Sequence, residues 1–282
     1  MPDVRGAVAT ALPDYRVESV ALLGEGTENI AFEINGELIV RFGRAPDPER
    51  TDREARLLAV VRGLASLPVP EPVFVLPLLG CLAYRRLPGT PLLDVPRPGR
   101  PERIATVLGA FLASLHAVAP GRLAGLLEVD DDPPAEWLRA AAADYETVAD
   151  HLPAGCRGRV EAFLGSAPPP DGSTPVFSHN DLGIEHVLVD PDTSAVTGVI
   201  DWGDAALVDP AHDYGRLFRD LGPAALLPGV AGAGGENGAA LRERAVFYAR
   251  CGMLEDLAYG VGTGRRRYAD KSLAALAWLF PA

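Results

Sequence analysis

The sequence has few of the features that point to disulfides, nucleic acids or membranes. It holds only three cysteines among 282 residues, an odd number spaced far apart, which argues against a disulfide framework and for a reducing compartment. Its net charge of −12 argues against a nucleic acid partner, because phosphate binding requires a basic face. No signal-peptide pattern and no apolar run of membrane-spanning length are present. We therefore expect a cytoplasmic protein that binds neither nucleic acid nor a membrane.

Lysine is the scarcest charged residue, because Lys271 is the only one and the other cationic side chains are nearly all arginine. Arginine carries the same charge on a planar fork, so it can replace lysine with a different geometry. The acidic balance suits a cationic small molecule as a ligand, although acidity also serves solubility.

The hydropathy pattern changes along the chain from strands to helices. The first part reads as three strands with a hairpin at Asn35-Gly36, then a helix over residues 48–66 and two more strands. After a proline-rich break, apolar residues recur at helical spacing. We therefore predict an α+β, bilobal fold. A small antiparallel β lobe with one helix would span 1–86, and a larger, mainly helical lobe would span 87–282.

Two short motifs in the second lobe carry most of the chemistry. Residues 178–190 read SHNDLGIEHVLVD, between two predicted short strands, and present Asp181 and His186 on a tight loop. Residues 199–204 read VIDWGD, at the end of another short strand, and present Asp201. Carboxylate and imidazole groups on loops held by a rigid scaffold suit metal and phosphate chemistry.

These motifs resemble those of the aminoglycoside phosphotransferases, a family of antibiotic kinases related to the eukaryotic protein kinases. The family's catalytic loop reads His-x-Asp, then four residues and Asn, and its metal motif reads Ile-Asp-(Trp/Phe)-Gly. Both occur here in order, at 179–186 and 200–203, and the resemblance covers nearly the whole chain. It implies a protein-kinase-like fold and a phosphoryl-transfer activity.

The resemblance implies a role for each matching residue of the two motifs. Asp181 would be the catalytic aspartate that orients the attacking hydroxyl and accepts its proton. Asp201 would hold Mg²⁺ against the nucleotide phosphates. His186, in the place of the usual asparagine, would be the second metal ligand. Either aspartate would otherwise serve as an ordinary turn or loop residue.

The resemblance also implies contacts to a nucleotide, which would bind in the first lobe. A glycine turn would lie over the phosphates, with Gly24, Gly26 and Thr27 as contacts, although many hairpins have such a turn. The hinge near Arg85 and Leu87 would hold the base through backbone groups. Backbone contacts leave ATP and GTP as open alternatives for the phosphoryl donor.

Arg41 departs from the family pattern, which has a phosphate-gripping lysine at this place on the third strand. Glu54, on the predicted helix, matches the glutamate that pairs with that lysine. An arginine fork can also grip phosphate. The alternative is that Arg41 is a surface strand charge and Glu54 an ordinary exposed helix residue.

Three other features are interpreted as structural. The run Asp130-Asp131-Asp132 is typical of a solvated turn, and His116 lies on the apolar face of a predicted helix, as a core histidine would. Asp213 resembles the family's structural aspartate, which hydrogen-bonds the backbone of the catalytic loop.

We therefore predict an enzyme, an O-phosphotransferase that moves the γ-phosphoryl group of ATP or GTP to a hydroxyl of an aminoglycoside or similar cationic antibiotic and so confers resistance. Glu255 and Asp256 are candidates for an acidic acceptor pocket. The alternatives are a metabolic kinase for choline, a sugar or an amino alcohol, and an inactive nucleotide-binding regulator. The expected partners are the antibiotic, the nucleotide and Mg²⁺, with the chain a monomer or weak dimer.

Overall fold

The fold joins an antiparallel sheet in the first part of the chain to a mainly helical second part. This is the α+β, protein-kinase-like arrangement that the motifs predict. The division into lobes at residue 86 stays a proposal. The computed structural model describes residues 2–26, 28–96, 101–170, 174–225 and 236–282.

The described residues of the first part form five strands and two α-helices, so the prediction of one helix misses α1. In chain order they are α1 (Val4–Ala11), β1 (Val20–Glu25), β2 (Asn29–Ile34), β3 (Leu38–Gly43), α2 (Pro48–Val61), β4 (Pro72–Leu76) and β5 (Cys81–Arg85). The sheet order is β1-β2-β3-β5-β4, with every neighbouring pair antiparallel. The predicted hairpin between β2 and β3 forms with Asn35 at φ 55° and Gly36 at φ 71°, the left-handed conformation that both residues tolerate.

Helix α2 begins where the sequence predicts and ends earlier. The side chain of Asp47 caps the helix by accepting the N–H of Arg50 at 3.0 Å, and Pro48 occupies the first turn. The predicted end near residue 66 is wrong. After Val61 the hydrogen bonds tighten, with the N–H of Leu64 donating to the Val61 carbonyl at 2.9 Å, which turns the chain toward β4.

The second part consists of helices around two small sheets. The helices are α3 (Pro101–His116), α4 (Pro134–Val148), α5 (Ala154–Leu164), α6 (Ala211–Leu221), α7 (Glu236–Thr263) and α8 (Arg266–Leu279). The strands are β6 (Thr90–Pro91), β7 (Val176–Ser178), β8 (Val187–Val189), β9 (Val196–Val199) and β10 (Ala206–Val208). β7 pairs with β10, and β8 lies between β6 and β9. The loops β7–β8 and β9–β10 therefore emerge side by side, and these loops carry the two motifs.

A continuous apolar core lies beneath both motif loops. Trp202, in the metal motif, is 1% exposed and packs against Phe111 of α3 and Phe177 of β7. A second, smaller core lies between α1 and the sheet, around Val8 and Ile34. The motif loops are therefore anchored to rigid packing. None of the described helices is both long and apolar enough to cross a membrane.

Candidate active site

The loop between β7 and β8 is fixed by the buried ring of His179. Its Nε2 donates to the carbonyl of Ile200 at 3.0 Å, and its Nδ1 accepts the N–H of Asp181 at 3.3 Å. This pattern requires the neutral ring, and burial lowers the pKa of His179 accordingly. Asn180 between them has φ 66°, a left-handed conformation that a non-glycine residue adopts at an energetic cost. The loop is thus held in one specific shape.

Asp213, on α6, holds the backbone of the same loop through hydrogen bonds. Its carboxylate accepts the N–H groups of His179 at 3.2 Å and Asn180 at 2.9 Å, and His116 Nε2 lies 3.1 Å from it. Burial raises the pKa of Asp213, but His116 and the backbone donor Asn180 outweigh burial and bring it below its ordinary value. These contacts confirm the structural interpretations of Asp213 and His116.

Asp181 carries its carboxylate between two basic groups. Its Oδ1 lies 3.2 Å from Nη1 of Arg216, and its Oδ2 lies 3.4 Å from Nδ1 of His186. That Nδ1 also lies 2.8 Å from the carbonyl oxygen of Asp181, to which it donates. The ring therefore turns Nε2 toward Asp201. Sequence motifs do not reveal Arg216, because it reaches the loop from α6.

Arg41 connects the sheet to the metal motif. Its Nη1 lies 2.9 Å from Oδ1 of Asp201, and its Nη2 pairs with Glu54 on α2. Burial lowers the pKa of Arg41, but the two carboxylates outweigh it and raise the pKa above its ordinary value. Arg41 is 8% exposed and the Glu54 side chain 14% exposed, so the alternative of a surface strand charge with an exposed glutamate is wrong.

His186 and Asp201 lie close enough together that they could hold a divalent cation between them. Nε2 of His186 lies 3.6 Å from Oδ2 of Asp201, whose φ of 61° turns the side chain out of the strand direction. Burial lowers the pKa of His186, but the nearby carboxylates of Asp181, Glu185 and Asp201 outweigh it and raise the pKa above its ordinary value. Among the described residues, no group of three or more His, Cys, Asp or Glu side chains is arranged so that it could hold a metal ion. Two protein ligands fit Mg²⁺, which keeps waters and takes phosphate oxygens.

A cavity of about 740 Å³, here called the sheet cavity, opens between the five-stranded sheet and the metal motif. Most of the predicted donor-side residues line it: Gly24, Gly26, Arg41, Leu87, Asp181, His186 and Asp201. Arg85 does not, because its N–H and guanidinium both engage Glu71, at 3.0 and 3.6 Å. Tyr84 also lines the cavity, and burial raises its pKa to about 12. Thr27 lies outside the described residues.

The two glycines belong to different parts of the predicted turn. Gly24 lies within β1, opposite Ala31, while the N–H of Gly26 donates to the carbonyl of Asn29 at 2.8 Å. An added Cβ at Gly24 would meet nothing within 4 Å, and at Gly26 only a carbonyl at 3.6 Å. Neither glycine is therefore required by the packing of the chain itself.

A second cavity of about 780 Å³, here called the acidic cavity, adjoins the first. Its wall carries the carboxylates of Glu128, Asp130, Asp131, Asp132, Asp204 and Glu255. Asp131 and Asp132 are exposed, as the predicted solvated turn requires, whereas Asp130 is half-buried and accepts a hydrogen bond from Nδ2 of Asn180 at 2.9 Å. Asp181, Asp204, Arg216 and Glu255 line both cavities, so the cavities meet at Asp181.

Glu255 and Asp256, adjacent on α7, have different surroundings. Glu255 is exposed and lines both cavities. Asp256 is buried, 2.9 Å from both Arg219 Nη1 and Lys271 Nζ, and does not line the acidic cavity. Neighbouring residues on a helix point about 100° apart, which separates the two carboxylates. The structure thus brings Glu255, and not Asp256, to the acidic cavity.

Comparison with known proteins places this geometry in context. The model of the phosphotransferase enzyme family matches residues 19–247. Viomycin phosphotransferase of Streptomyces vinaceus is 29% identical over 196 residues, 64% of this chain and 68% of the relative. The GDP and kanamycin complex of APH(2")-IIia has a TM-score of 0.74 at 24% identity over 96% of each chain. The macrolide 2'-phosphotransferase MphH from Brachybacterium faecium has a TM-score of 0.63 at 25% identity, with 100% of this chain and 99% of that chain covered.

Proposed function

The chain belongs to the phosphotransferase enzyme family, and from this premise we propose that it moves the γ-phosphoryl group of ATP or GTP to a hydroxyl of an aminoglycoside or similar cationic antibiotic. The observation that carries the proposal is the position of Asp181, at the junction of the sheet cavity and the acidic cavity. A transferred group must pass between a donor site and an acceptor site at such a junction.

The sheet cavity supports the donor part of the proposal. Arg41 would neutralise phosphate charge while Glu54 and Asp201 hold its fork in place. Asp201 and His186 would hold Mg²⁺, which supplies charge stabilisation to the transferring phosphoryl group. An inactive nucleotide-binding regulator could have the same ion pairs at Arg41, so turnover of an acceptor is what separates the proposed enzyme from it.

The acidic cavity supports the acceptor part. Its carboxylates favour a substrate with several positive charges. Asp181 would accept the proton of the acceptor hydroxyl as the oxygen attacks phosphorus in line, and the leaving nucleotide diphosphate would carry away the bond's electron pair. Viomycin phosphotransferase and the kanamycin complex, among the relatives, make such antibiotics the first compounds to test.

The direct test is mass spectrometry of a mixed panel incubated with the protein, Mg²⁺ and either ATP or GTP. The panel would hold kanamycin, viomycin, a macrolide, choline, a sugar and an amino alcohol. We expect one antibiotic to gain a single phosphoryl group, and D181N protein to add none. Phosphorylation of choline, the sugar or the amino alcohol alone would instead support the metabolic kinase.

Resistance and cell compartment are further parts of the proposal. We expect cytoplasmic protein in a bacterium to protect the cell by modifying the drug. Recovery of unmodified drug from resistant cells that produce the protein would contradict this. The chain is expected to act as a monomer or weak dimer, which sedimentation of the purified protein measures.

A further inference from the structure

Arg216 contacts the catalytic loop at two points, although no motif marks it. From α6, its Nε donates to the carbonyl of Asn180 at 3.1 Å, and its Nη1 lies 3.2 Å from Oδ1 of Asp181. The Arg216 side chain is 17% exposed and that of Asp181 26% exposed, so water screens this ion pair only partly. The two contacts use different nitrogens of one rigid fork, which fixes the direction of both.

The contact with Asn180 completes a clamp on a strained residue. One turn earlier on α6, Asp213 accepts the N–H of Asn180, and Arg216 donates to its carbonyl. The left-handed backbone of Asn180 persists only where the surroundings hold it. Since Asp181 follows directly, the clamp also sets the direction in which its side chain leaves the loop.

The contact with Asp181 acts on the carboxylate itself. Its Oδ1 faces Arg216, and its Oδ2 faces His186 at 3.4 Å, so both oxygens have a partner that opposes rotation. Arg216 lines both cavities, and it lies where donor and acceptor would meet. Resting on the proposed function, we propose that Arg216 is a positioning residue that holds the carboxylate of Asp181 toward the acceptor hydroxyl.

A role in binding fits the contacts less well. Nε and Nη1 of Arg216 are already engaged by the loop, and a cationic antibiotic would be repelled by the guanidinium. A positioning residue should act on kcat, because misplacement of a reacting group by about 1 Å costs about 100-fold in rate. A binding residue should act on KM.

The test compares wild-type protein with R216Q and R216K, using the acceptor that the antibiotic panel identifies. We expect R216Q to lower kcat about 100-fold, with KM for donor and acceptor changed less than about threefold. R216K should recover part of the loss, because one ammonium group can reach either the carbonyl of Asn180 or the carboxylate of Asp181. R139Q is the charge-matched control, since Arg139 is an exposed residue paired with Glu136 on α4.

Chemical rescue separates positioning from a general effect on folding. Free guanidinium ion added to R216A should raise its rate about tenfold or more, because the ion can enter the space left by the side chain. If R216Q is poorly folded, the rates of R216K and of R216A with added guanidinium still test whether Arg216 positions Asp181. Wild-type kcat in R216Q, a loss confined to KM, or absence of rescue by both lysine and guanidinium would overturn the inference.

The outcome for wild-type protein distinguishes this inference from the proposed function. If wild-type protein transfers no phosphoryl group to any compound of the panel, the proposed function fails, and the role of Arg216 fails with it. If wild-type protein is active and R216Q is equally active, only the inference about Arg216 is overturned.

Discussion

The sheet cavity and the acidic cavity share Asp181, but the chain builds them in different ways. The polar wall of the sheet cavity includes Arg41 of β3 and the loops that carry His186 and Asp201, together with side chains from β1, β2 and α7. The acidic cavity combines the acidic segment from Glu128 to Asp132 with carboxylates from elsewhere in the chain, such as Glu255 in α7. The two loops of the sheet cavity carry recognisable short motifs, whereas no motif marks the carboxylates of the acidic cavity.

The two cavities also differ in what they would recognise. In the sheet cavity, where carboxylates also outnumber arginines, Arg41 is held by Glu54 and Asp201 and is the group that would contact phosphate. In the acidic cavity, carboxylates outnumber the three arginines Arg50, Arg53 and Arg216, and this excess would offer negative charge to a cation. The comparison predicts that substitutions of Arg41 and of Glu255 will affect one ligand each, and that substitution of Asp181 will affect the transfer between the ligands.

The largest effect is expected at the junction itself. Asp181→Asn should lower kcat about 10³-fold, because the acceptor hydroxyl loses its proton acceptor. The dissociation constants of donor and acceptor should change less than about threefold, since both cavities stay intact. Calorimetric titration and initial rates measure the two quantities. A variant that keeps more than about a tenth of the wild-type rate would remove Asp181 from its role.

A smaller effect is expected in the sheet cavity alone. Arg41→Lys should raise the donor KM about tenfold and leave the acceptor KM unchanged, because one ammonium cannot pair with Glu54 and Asp201 as the fork does. R56K is the control, since Arg56 is exposed on α2, 3.8 Å from Asp52. An equal rise in the acceptor KM would show that the two cavities are not independent.

Substitutions of the two adjacent carboxylates of α7, Glu255 and Asp256, are expected to have different effects. Glu255→Gln should raise the KM of a cationic acceptor about fivefold, because one favourable charge is lost, with the melting temperature unchanged. Asp256→Asn should lower stability by about 3 kcal/mol, because buried Arg219 and Lys271 lose a shared partner. Thermal unfolding and initial rates distinguish the two. Reversed results would place Asp256, and not Glu255, at the acceptor.

The smallest effect is expected at Gly24 in β1. Gly24→Ala should leave the melting temperature unchanged, because an added Cβ meets no atom within 4 Å. The donor KM should change less than about twofold, since alanine keeps the backbone groups that would contact phosphate. A rise of tenfold or more would mean that the bound donor approaches the backbone too closely for any side chain at Gly24.

The sequence predicts the fold well because strand and helix patterns are local, and the resemblance of two short motifs indicates most of the residues that line the sheet cavity. The hairpin at Asn35-Gly36 forms as its turn chemistry requires, and the spacing of the motifs places His186 beside Asp201. The acidic cavity is mostly missed because an exposed acidic turn and a cavity wall look alike in sequence. Asp130 is an example, since its role depends on a contact with Asn180, far away in the chain.

Other features were beyond sequence reasoning for related physical reasons. Arg216 lies on a helix that packs under the loop, and no periodicity reveals which polar residue of that helix will face Asp181. Asn180 and Asp201 have positive φ angles, which asparagine and aspartate adopt more readily than other non-glycine residues, but nothing in the sequence shows which of these residues will do so.

The central claim is that the two cavities hold donor and acceptor at the same time, on either side of Asp181. The measurement that tests it most directly is calorimetric titration of the acceptor into D181N protein, with and without a saturating non-hydrolysable donor analogue. The account predicts one acceptor per chain in both titrations, with dissociation constants that differ less than about threefold. Loss of acceptor binding in the presence of the donor analogue would show that both ligands compete for one cavity and would contradict the account.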